Sequence, residues 1–218
     1  MPEILIYEDI GADYFGDGVT AKSIHQQLSE IDGDLTIRIN SLGGDVFEGH
    51  AIYNLIRGYS RGTTTAVVDG IAASAASVIA MGADEVVMPP NAMLMIHDPW
   101  TFAVGNSADM LKTAEILETI KQTIVSVYVD KTGLESSEVS DMMSAETWLE
   151  GSAAEELGFA RTDEAAQMVL NKTDCSRQWI NAVPEKIQPR ASEAVSEPTK
   201  EYPNLDARRR FLETQVDA

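Results

Sequence analysis

Two adjacent glycines at the end of a predicted strand form the first stretch of the sequence that could do chemistry. Residues 40–45 read Asn-Ser-Leu-Gly-Gly-Asp and stand before a predicted helix. Glycines let the backbone turn sharply and let a substrate approach closely, and the N–H groups of such a turn can bind a carbonyl oxygen or an anion. Spacing alone favours an ordinary strand-to-helix turn. The stretch does not match a phosphate-binding P-loop, because no lysine follows the glycines.

A serine among small residues is the second candidate. Residues 70–77 read Gly-Ile-Ala-Ala-Ser-Ala-Ala-Ser, and Ser74 has little steric cover there. At the start of a helix its hydroxyl could meet a substrate, and the helix N-terminus would favour developing negative charge. Tight helix packing, which also needs small residues, explains the same run equally well.

The chain has three histidines, and they differ in their surroundings. His25 and His50 fall in predicted helices, where a solvated or packed role is favoured for both. His97 follows the apolar run at residues 93–96 and so stands at the C-terminal edge of a predicted strand. Ligand sites of parallel sheets lie at that edge, and an imidazole there could act as the base for a serine.

The elements that must position these residues alternate along the first 160 residues. Apolar runs and period-two alternation predict strands at 4–7, 35–39, 64–68, 85–88 and 93–96. Helical spacing predicts helices at 19–31, 47–56, 72–81, 107–130, 135–143 and 151–157, with a glycine cap near Gly133. Strands that alternate with helices indicate an α/β fold with a largely parallel sheet and crossover helices.

The charge of the chain is unevenly distributed. The net charge is -19, with 16 basic and 35 acidic residues, and hydrophobic residues make up 44%. Residues 1–160 hold 7 basic and 25 acidic residues, a balance of -18, whereas residues 161–218 hold 9 and 10, a balance of -1. Because an acidic body repels phosphates, nucleic-acid binding is not expected.

The cysteine count and the hydropathy of the sequence indicate the cellular compartment of the protein. Cys175 is the single cysteine, so neither an intrachain disulfide nor a zinc site built from several thiols can form. No apolar run reaches the roughly 18–20 residues of a transmembrane helix, and the start lacks the pattern of a signal peptide. We expect a cytoplasmic protein that is not associated with a membrane.

The composition changes after Gly158. All 15 glycines lie at or before that position, and four of the eight prolines fall within residues 184–203. This stretch is typical of an extended or disordered linker. The sequence therefore predicts a domain over residues 1–160 and a C-terminal extension over residues 161–218 that is partly disordered or packed on a neighbouring subunit.

Together these stretches resemble the Clp-type serine proteases, and most of all their phage-encoded branch, the head-maturation (prohead) proteases. Residues 39–44 (I-N-S-L-G-G) are similar to the family's I-N-S-P-G-G, with Leu42 in place of proline. Residues 70–74 resemble the segment of the nucleophile, and residues 95–99 (M-I-H-D-P) resemble that of the histidine. Residues 146–149 with 156–159 resemble the last motif, so the resemblance covers residues 3–160 in the family's order.

The resemblance implies a role for individual positions. Ser74 would be the nucleophile and His97 the general base, and the backbone N–H groups of Gly44 and Ala75 would form the oxyanion hole. Glu146 stands where the family usually has the aspartate of the triad. Asp141, five residues earlier, is the rival for that role.

The resemblance also implies an activity and partners. The protein would hydrolyse peptide bonds of capsid or scaffold proteins during phage head maturation, without a metal or an organic cofactor. It would form homo-oligomeric rings, with the helix at 107–130 projecting as a handle into a subunit interface. The segment that docks an unfolding ATPase in the family is not apparent before the first strand, so an ATPase partner is not expected.

Three other interpretations share parts of the pattern. A crotonase-type enzyme of the same fold would hold the acyl oxygen of an acyl-CoA thioester with backbone amides and would not need a serine–histidine pair. A membrane-linked Ser–Lys peptidase would need a lysine near the nucleophile, but the nearest are Lys22 and Lys112. A catalytically idle shell that scaffolds capsid assembly would not need an intact Ser74 and His97.

Overall fold

A computed structural model of the chain describes residues 1–12 and 18–163. The strands within these residues are β1 (Glu3–Ile6), β2 (Leu35–Ser41), β3 (Thr64–Ala73), β4 (Glu85–Met88), β5 (Met93–Ile96), β6 (Thr147–Glu150) and β7 (Arg161–Thr162). The helices are α1 (Ala21–Glu30), α2 (Val46–Arg57), α3 (Ala75–Ala80), α4 (Ser107–Thr132), α5 (Ser136–Ser144) and α6 (Gly151–Glu156).

The strands form a mostly parallel sheet in the order β1-β2-β3-β4-β7. β3 pairs with β4 through its first half and with β5 through its second half, where Ala73 lies opposite Met95. β6 pairs antiparallel with β5. The predicted α/β class is confirmed, and the divided pairing of β3 brings the ends of β3 and β5 side by side.

Alternating side chains explain why the central strands form. In β2 the side chains of Leu35, Ile37 and Ile39 are almost wholly buried, and the residues between them are half-buried. This period of two places one apolar face of the sheet against the helices. α2 and α3 cover that face with Ile52, Ile56 and a run of small, fully buried residues.

β3 extends further than the sequence predicts. Residues 72–73 are expected to begin a helix, but they continue the strand and α3 begins at Ala75. The reason is the pairing of residues 71–73 with β5, which outweighs the preference of alanine for helices. The consequence is that Ser74 occupies a sharp turn between a strand and a helix.

The two last strands, β6 and β7, are not among the predicted elements. They have four and two residues, too few to show a period. β6 is held by Met93–Ile96 of β5, and β7 is held by β4, where Val87 lies opposite Arg161. Such long-range pairing leaves no signal in a local pattern.

α4 is divided into a buried and an exposed half. It is capped by Asn106 at one end and, as predicted, by Gly133 in the left-handed conformation at the other. Its second half packs into the core through residues such as Ile124 and Tyr128. Its first half leaves Leu111 68% exposed, so the apolar stripe expected to face a subunit interface belongs partly to the chain's own core.

The described residues contain neither a membrane-spanning helix nor a cluster of metal-binding side chains. Over residues 1–12 and 18–163 no helix has both the length and the hydropathy needed to cross a membrane. The same residues contain no group of three or more His, Cys, Asp or Glu side chains placed to hold a metal ion. Cys175, the proline-rich stretch at 184–203 and the rest of the predicted extension beyond Asp163 lie outside the described residues.

Candidate active site

Ser74 lies in a backbone conformation that is rare for a residue with a side chain. Its φ is 55° and its ψ is -126°, a conformation that costs on the order of 1–3 kcal/mol. Its N–H donates to the carbonyl of Met95 at 2.9 Å. Its own carbonyl accepts from the N–H of Ser77 at 3.0 Å and from the Ser77 hydroxyl at 2.6 Å. Bonds on both sides thus hold the turn in place.

The imidazole of His97 meets the hydroxyl of Ser74. The Nε2 atom lies 2.8 Å from Oγ. The contact follows from the sheet, because Ala73 and Met95 are opposite each other in parallel strands and both side chains come just after that point. The structure therefore brings together the serine and the histidine that the sequence singles out.

Burial and charge act in opposite directions on His97. Burial, the larger effect, lowers the pKa of the imidazole from its ordinary value, and the negative charges of Glu146 and Asp98 raise it. Because the net shift is downward, the neutral imidazole predominates at neutral pH. A neutral imidazole can accept a proton from a hydroxyl.

The glycine turn approaches Ser74 so closely that a side chain would not fit. A Cβ atom on Gly43 would lie 2.7 Å from the Cβ of Ser74, and one on Gly44 would lie 2.2 Å from the carbonyl oxygen of Ile10. Both glycines have positive φ, 101° and 147°. The turn therefore packs between the serine on one side and Ile10 on the other.

The N–H groups of Gly44 and Ala75 are available at this point. Ile10 pairs with the outer edge of the turn, since its N–H donates to Gly43 and its carbonyl accepts from Asp45, both at 2.8 Å. Successive N–H groups of an extended chain point to opposite sides. Because Asp45 donates to Ile10, the N–H of Gly44 points away from Ile10. Ala75 is the first residue of α3, where the N–H has no partner within the helix. Neither N–H finds an acceptor in residues 1–12 or 18–163.

The carboxylate of Glu146 is near the imidazole but does not bond to it. Glu146 is exposed, has a φ of 50°, and accepts a hydrogen bond on Oε1 from the indole of Trp148 at 3.2 Å. It acts on His97 as a negative charge. Asp141 is exposed on α5 and is not among the charges that shift the pKa of His97.

Sequence reasoning missed a second group of side chains at the site. Asp98 forms an ion pair with Lys121 of α4, and both contact Ser144. The one available signal was that Asp98 directly follows His97 in the histidine motif. Lys121 and Ser144 are 23 and 46 residues further along the chain, so only the fold shows the contact.

The site combines a serine, a neutral histidine hydrogen-bonded to it, and two free backbone N–H groups at the edge of an α/β sheet. This is the chemistry of a serine hydrolase. Comparison with known proteins gives the family. The model of the family described as Clp protease matches residues 3–163. The chain therefore belongs to the Clp protease family of serine peptidases, which confirms the resemblance at that level. Its placement in the phage branch stays a prediction.

Individual relatives agree with this assignment. The ATP-dependent Clp protease proteolytic subunit of Bacteroides fragilis is 30% identical over 152 residues, which cover 66% of this chain and 72% of the relative. Proteolytic subunit 1 of Chlamydia muridarum is 31% identical over 159 residues, covering 67% and 82%. Among solved structures, a point mutant of ClpP1 from Listeria monocytogenes has a TM-score of 0.64 at 25% identity and covers 75% of this chain and 92% of its own.

Proposed function

We propose that the protein is a serine endopeptidase in which Ser74 is the nucleophile and His97 is the general base. The Oγ atom bonds to the carbonyl carbon of a peptide while Nε2 takes its proton, and the same proton then passes to the leaving amine. Water, activated by the imidazole, releases the acyl group from Ser74. The observation that carries this proposal is the 2.8 Å contact between Nε2 and Oγ.

The N–H groups of Gly44 and Ala75 would hold the oxyanion of the tetrahedral intermediate. Support comes from their lack of an acceptor among the described residues and from the close contact between Gly43 and Ser74. A donor of this kind commonly contributes about 3 kcal/mol to the transition state. The chemistry draws on this chain and water, with no metal or organic cofactor.

Glu146 would be the third member of the triad. Its charge acts on His97, whereas that of Asp141 is not among the charges that do. A carboxylate there stabilises the imidazolium that forms when the base accepts its proton. Trp148 supports the assignment, because its indole holds one oxygen of the carboxylate.

The substrate would be an extended segment of a protein chain. Ile10 occupies one edge of the glycine turn, and the other edge presents the backbone of Gly44. An extended peptide could pair with that free edge, as when a strand is added to a sheet. The scissile carbonyl would then lie between Ser74 and the two N–H groups.

We further propose that the protein forms homo-oligomeric rings. The relatives are named as proteolytic subunits. Large apolar side chains are exposed on α4 and on the segment before it, namely Trp100, Phe102, Val104, Met110, Leu111 and Ile116. Exposed apolar surface of this kind is typical of an interaction site, and a second copy of the chain is the occupant we propose.

The biological substrate we propose is a phage capsid or scaffold protein cleaved in the host cytoplasm during head maturation. The support is the motif resemblance at residues 39–44, 70–74 and 95–99. The relatives above are named ATP-dependent, but the reaction drawn here consumes only water. Cleavage of an already extended capsid segment would therefore need no ATP.

A serine-directed fluorophosphonate tests the proposed chemistry. We expect it to label the wild-type protein at Ser74 and to leave Ser74→Ala unlabelled, with Ser29→Ala, an exposed serine of α1, as the matched control. Labelling that survives Ser74→Ala would refute the nucleophile, and absence of labelling in the wild type would favour a crotonase-type or idle protein. Co-expression of wild type or Ser74→Ala with candidate capsid genes then tests the substrate.

A further inference from the structure

A buried ammonium group pairs with the residue that directly follows the proposed catalytic histidine, and the reaction above does not use it. Lys121 of α4 is only 9% exposed. Its Nζ atom is 3.0 Å from Oδ1 and 3.2 Å from Oδ2 of Asp98, and it donates to the hydroxyl of Ser144 at 2.7 Å. Ser144 in turn donates to Oδ2 of Asp98 at 3.1 Å. The cluster joins the end of β5, the long helix α4 and the end of α5.

The same cluster is connected to the site through the backbone. The N–H of Asp98, which directly follows His97, donates to the carbonyl of Met143 at 3.2 Å. The N–H of Glu146 donates to that same carbonyl at 3.0 Å. One carbonyl at the end of α5 therefore fixes the chain beside the proposed base and beside the proposed acid. A shift of α5 relative to β5 would move both.

Charge balance explains why a lysine is needed there. Oδ1 of Asp98 is buried and accepts no hydrogen bond from the described residues, so the ammonium of Lys121 is what compensates that oxygen. The Asp98 side chain as a whole is 42% exposed, but Oδ1 itself is shielded from water, so loss of Lys121 leaves that oxygen without a compensating charge. Without Lys121, the uncompensated charge would act on His97.

We propose that Lys121 is a positioning residue for the proposed peptidase reaction: its ammonium balances Asp98 and holds the end of β5, with His97, against the end of α5, with Glu146. The inference rests on the proposed function, because it assigns a role in tuning and placing the proposed base. Lys121 touches neither the serine nor the imidazole and acts through Asp98.

The direction of the effect follows from the charges around the imidazole. Glu146, from the turn after α5, and Asp98, from the histidine's own strand end, raise the pKa of His97. The turn between β3 and α3 contributes Ser74. The helices packed against α3 carry Lys121 on α4 and His50 on α2, and the His50 imidazole contacts the hydroxyl of Thr123. Lys121 is not itself among the charges that shift the pKa of His97; its loss acts through Asp98, whose charge then has no ammonium beside it, so the pKa of His97 rises. Loss of the Asp98 charge lowers it.

The experiment measures the rate of fluorophosphonate labelling at Ser74 against pH in the full-length protein. In Lys121→Met we expect the acidic limb of the profile to move to higher pH by about half a unit or more, because a larger fraction of the base is protonated. In Asp98→Asn the limb moves to lower pH. The double variant, which removes both charges, lies between the two single variants. Lys22→Met, an exposed lysine on α1, is the matched control and leaves the limb unchanged.

The outcomes separate this inference from the proposed function. A wild-type protein that does not label at Ser74 overturns both. Normal wild-type labelling with an unmoved limb in folded Lys121→Met overturns the role of Lys121 alone, as does a shift of both single variants in the same direction. A merely structural lysine would lower the melting temperature and leave the limb in place. Where Lys121→Met does not fold, Asp98→Asn decides: a limb that moves to lower pH supports the inference, and an unmoved limb overturns it.

Discussion

The imidazole of His97 sets how the proposed reaction depends on pH. Burial keeps its pKa below the ordinary value of 6.5, and only the unprotonated ring can take the proton of Ser74. We therefore predict that labelling at Ser74 falls as the pH drops, with a midpoint below 6.5. A labelling series from about pH 4 to 8 measures it. A midpoint above 6.5 would mean that the carboxylates nearby outweigh burial.

The two candidate acids can be told apart by removing one charge at a time. Glu146→Gln should lower the labelling rate at neutral pH by at least about tenfold, because the imidazolium loses its stabilising charge. Asp141→Asn should change it by less than about twofold, because Asp141 is not among the charges that shift His97. The two variants are matched, since each replaces an exposed carboxylate by its amide. The reverse order would transfer the role to Asp141.

At the scale of single residues, the sequence predicts the positions that belong to short motifs. Ser74 and His97 stand in distinctive segments, and the structure brings their side chains to 2.8 Å. The positive φ of Ser74 and the contact of Asp98 with Lys121 are set by partners distant along the chain. No local pattern carries that information.

The long helix α4 contains two kinds of apolar residue, and substitutions should separate them. Ile116 is 50% exposed on the outer half, whereas Ile124 is 6% exposed in the core. Ile116→Glu should leave the melting temperature nearly unchanged and produce a smaller particle, because it places a charge in the proposed subunit contact. Ile124→Glu should destabilise the subunit itself, by several kcal/mol on the scale of buried charges. Light scattering and thermal unfolding of both variants distinguish these effects, and an unchanged mass for Ile116→Glu would refute the interface.

The bounds of the helices and strands show where the hydrophobic periodicity of the sequence is enough to predict an element. α4 follows its predicted span closely because 26 residues keep helical spacing between two caps. The boundary between β3 and α3 is misplaced because alanine and glycine fit either structure, and pairing with β5 decides. That misplaced boundary matters for function, since Ser74 stands on it.

At the scale of the whole molecule, the family match and strand β7 end within one residue of each other. The family match ends at residue 163, and the N–H of Asp163 still bonds to the carbonyl of Met88 at 2.9 Å beside β7. The domain boundary predicted at residue 160 stays a prediction, and a truncation that tests it should keep β7 intact. The charge balance of -18 over residues 1–160 against -1 beyond supports treating the extension as a separate segment.

A truncation after Asp163 tests whether the extension is needed by the domain. The core around the sheet, the serine–histidine contact and the exposed half of α4 all lie within residues 1–163. We therefore predict that the shortened protein folds with a melting temperature close to that of the full chain, assembles to the same number of subunits and labels at Ser74 at a similar rate. A truncated protein that precipitates, or that folds without labelling, would make the extension part of the catalytic domain and move the boundary toward the C-terminus.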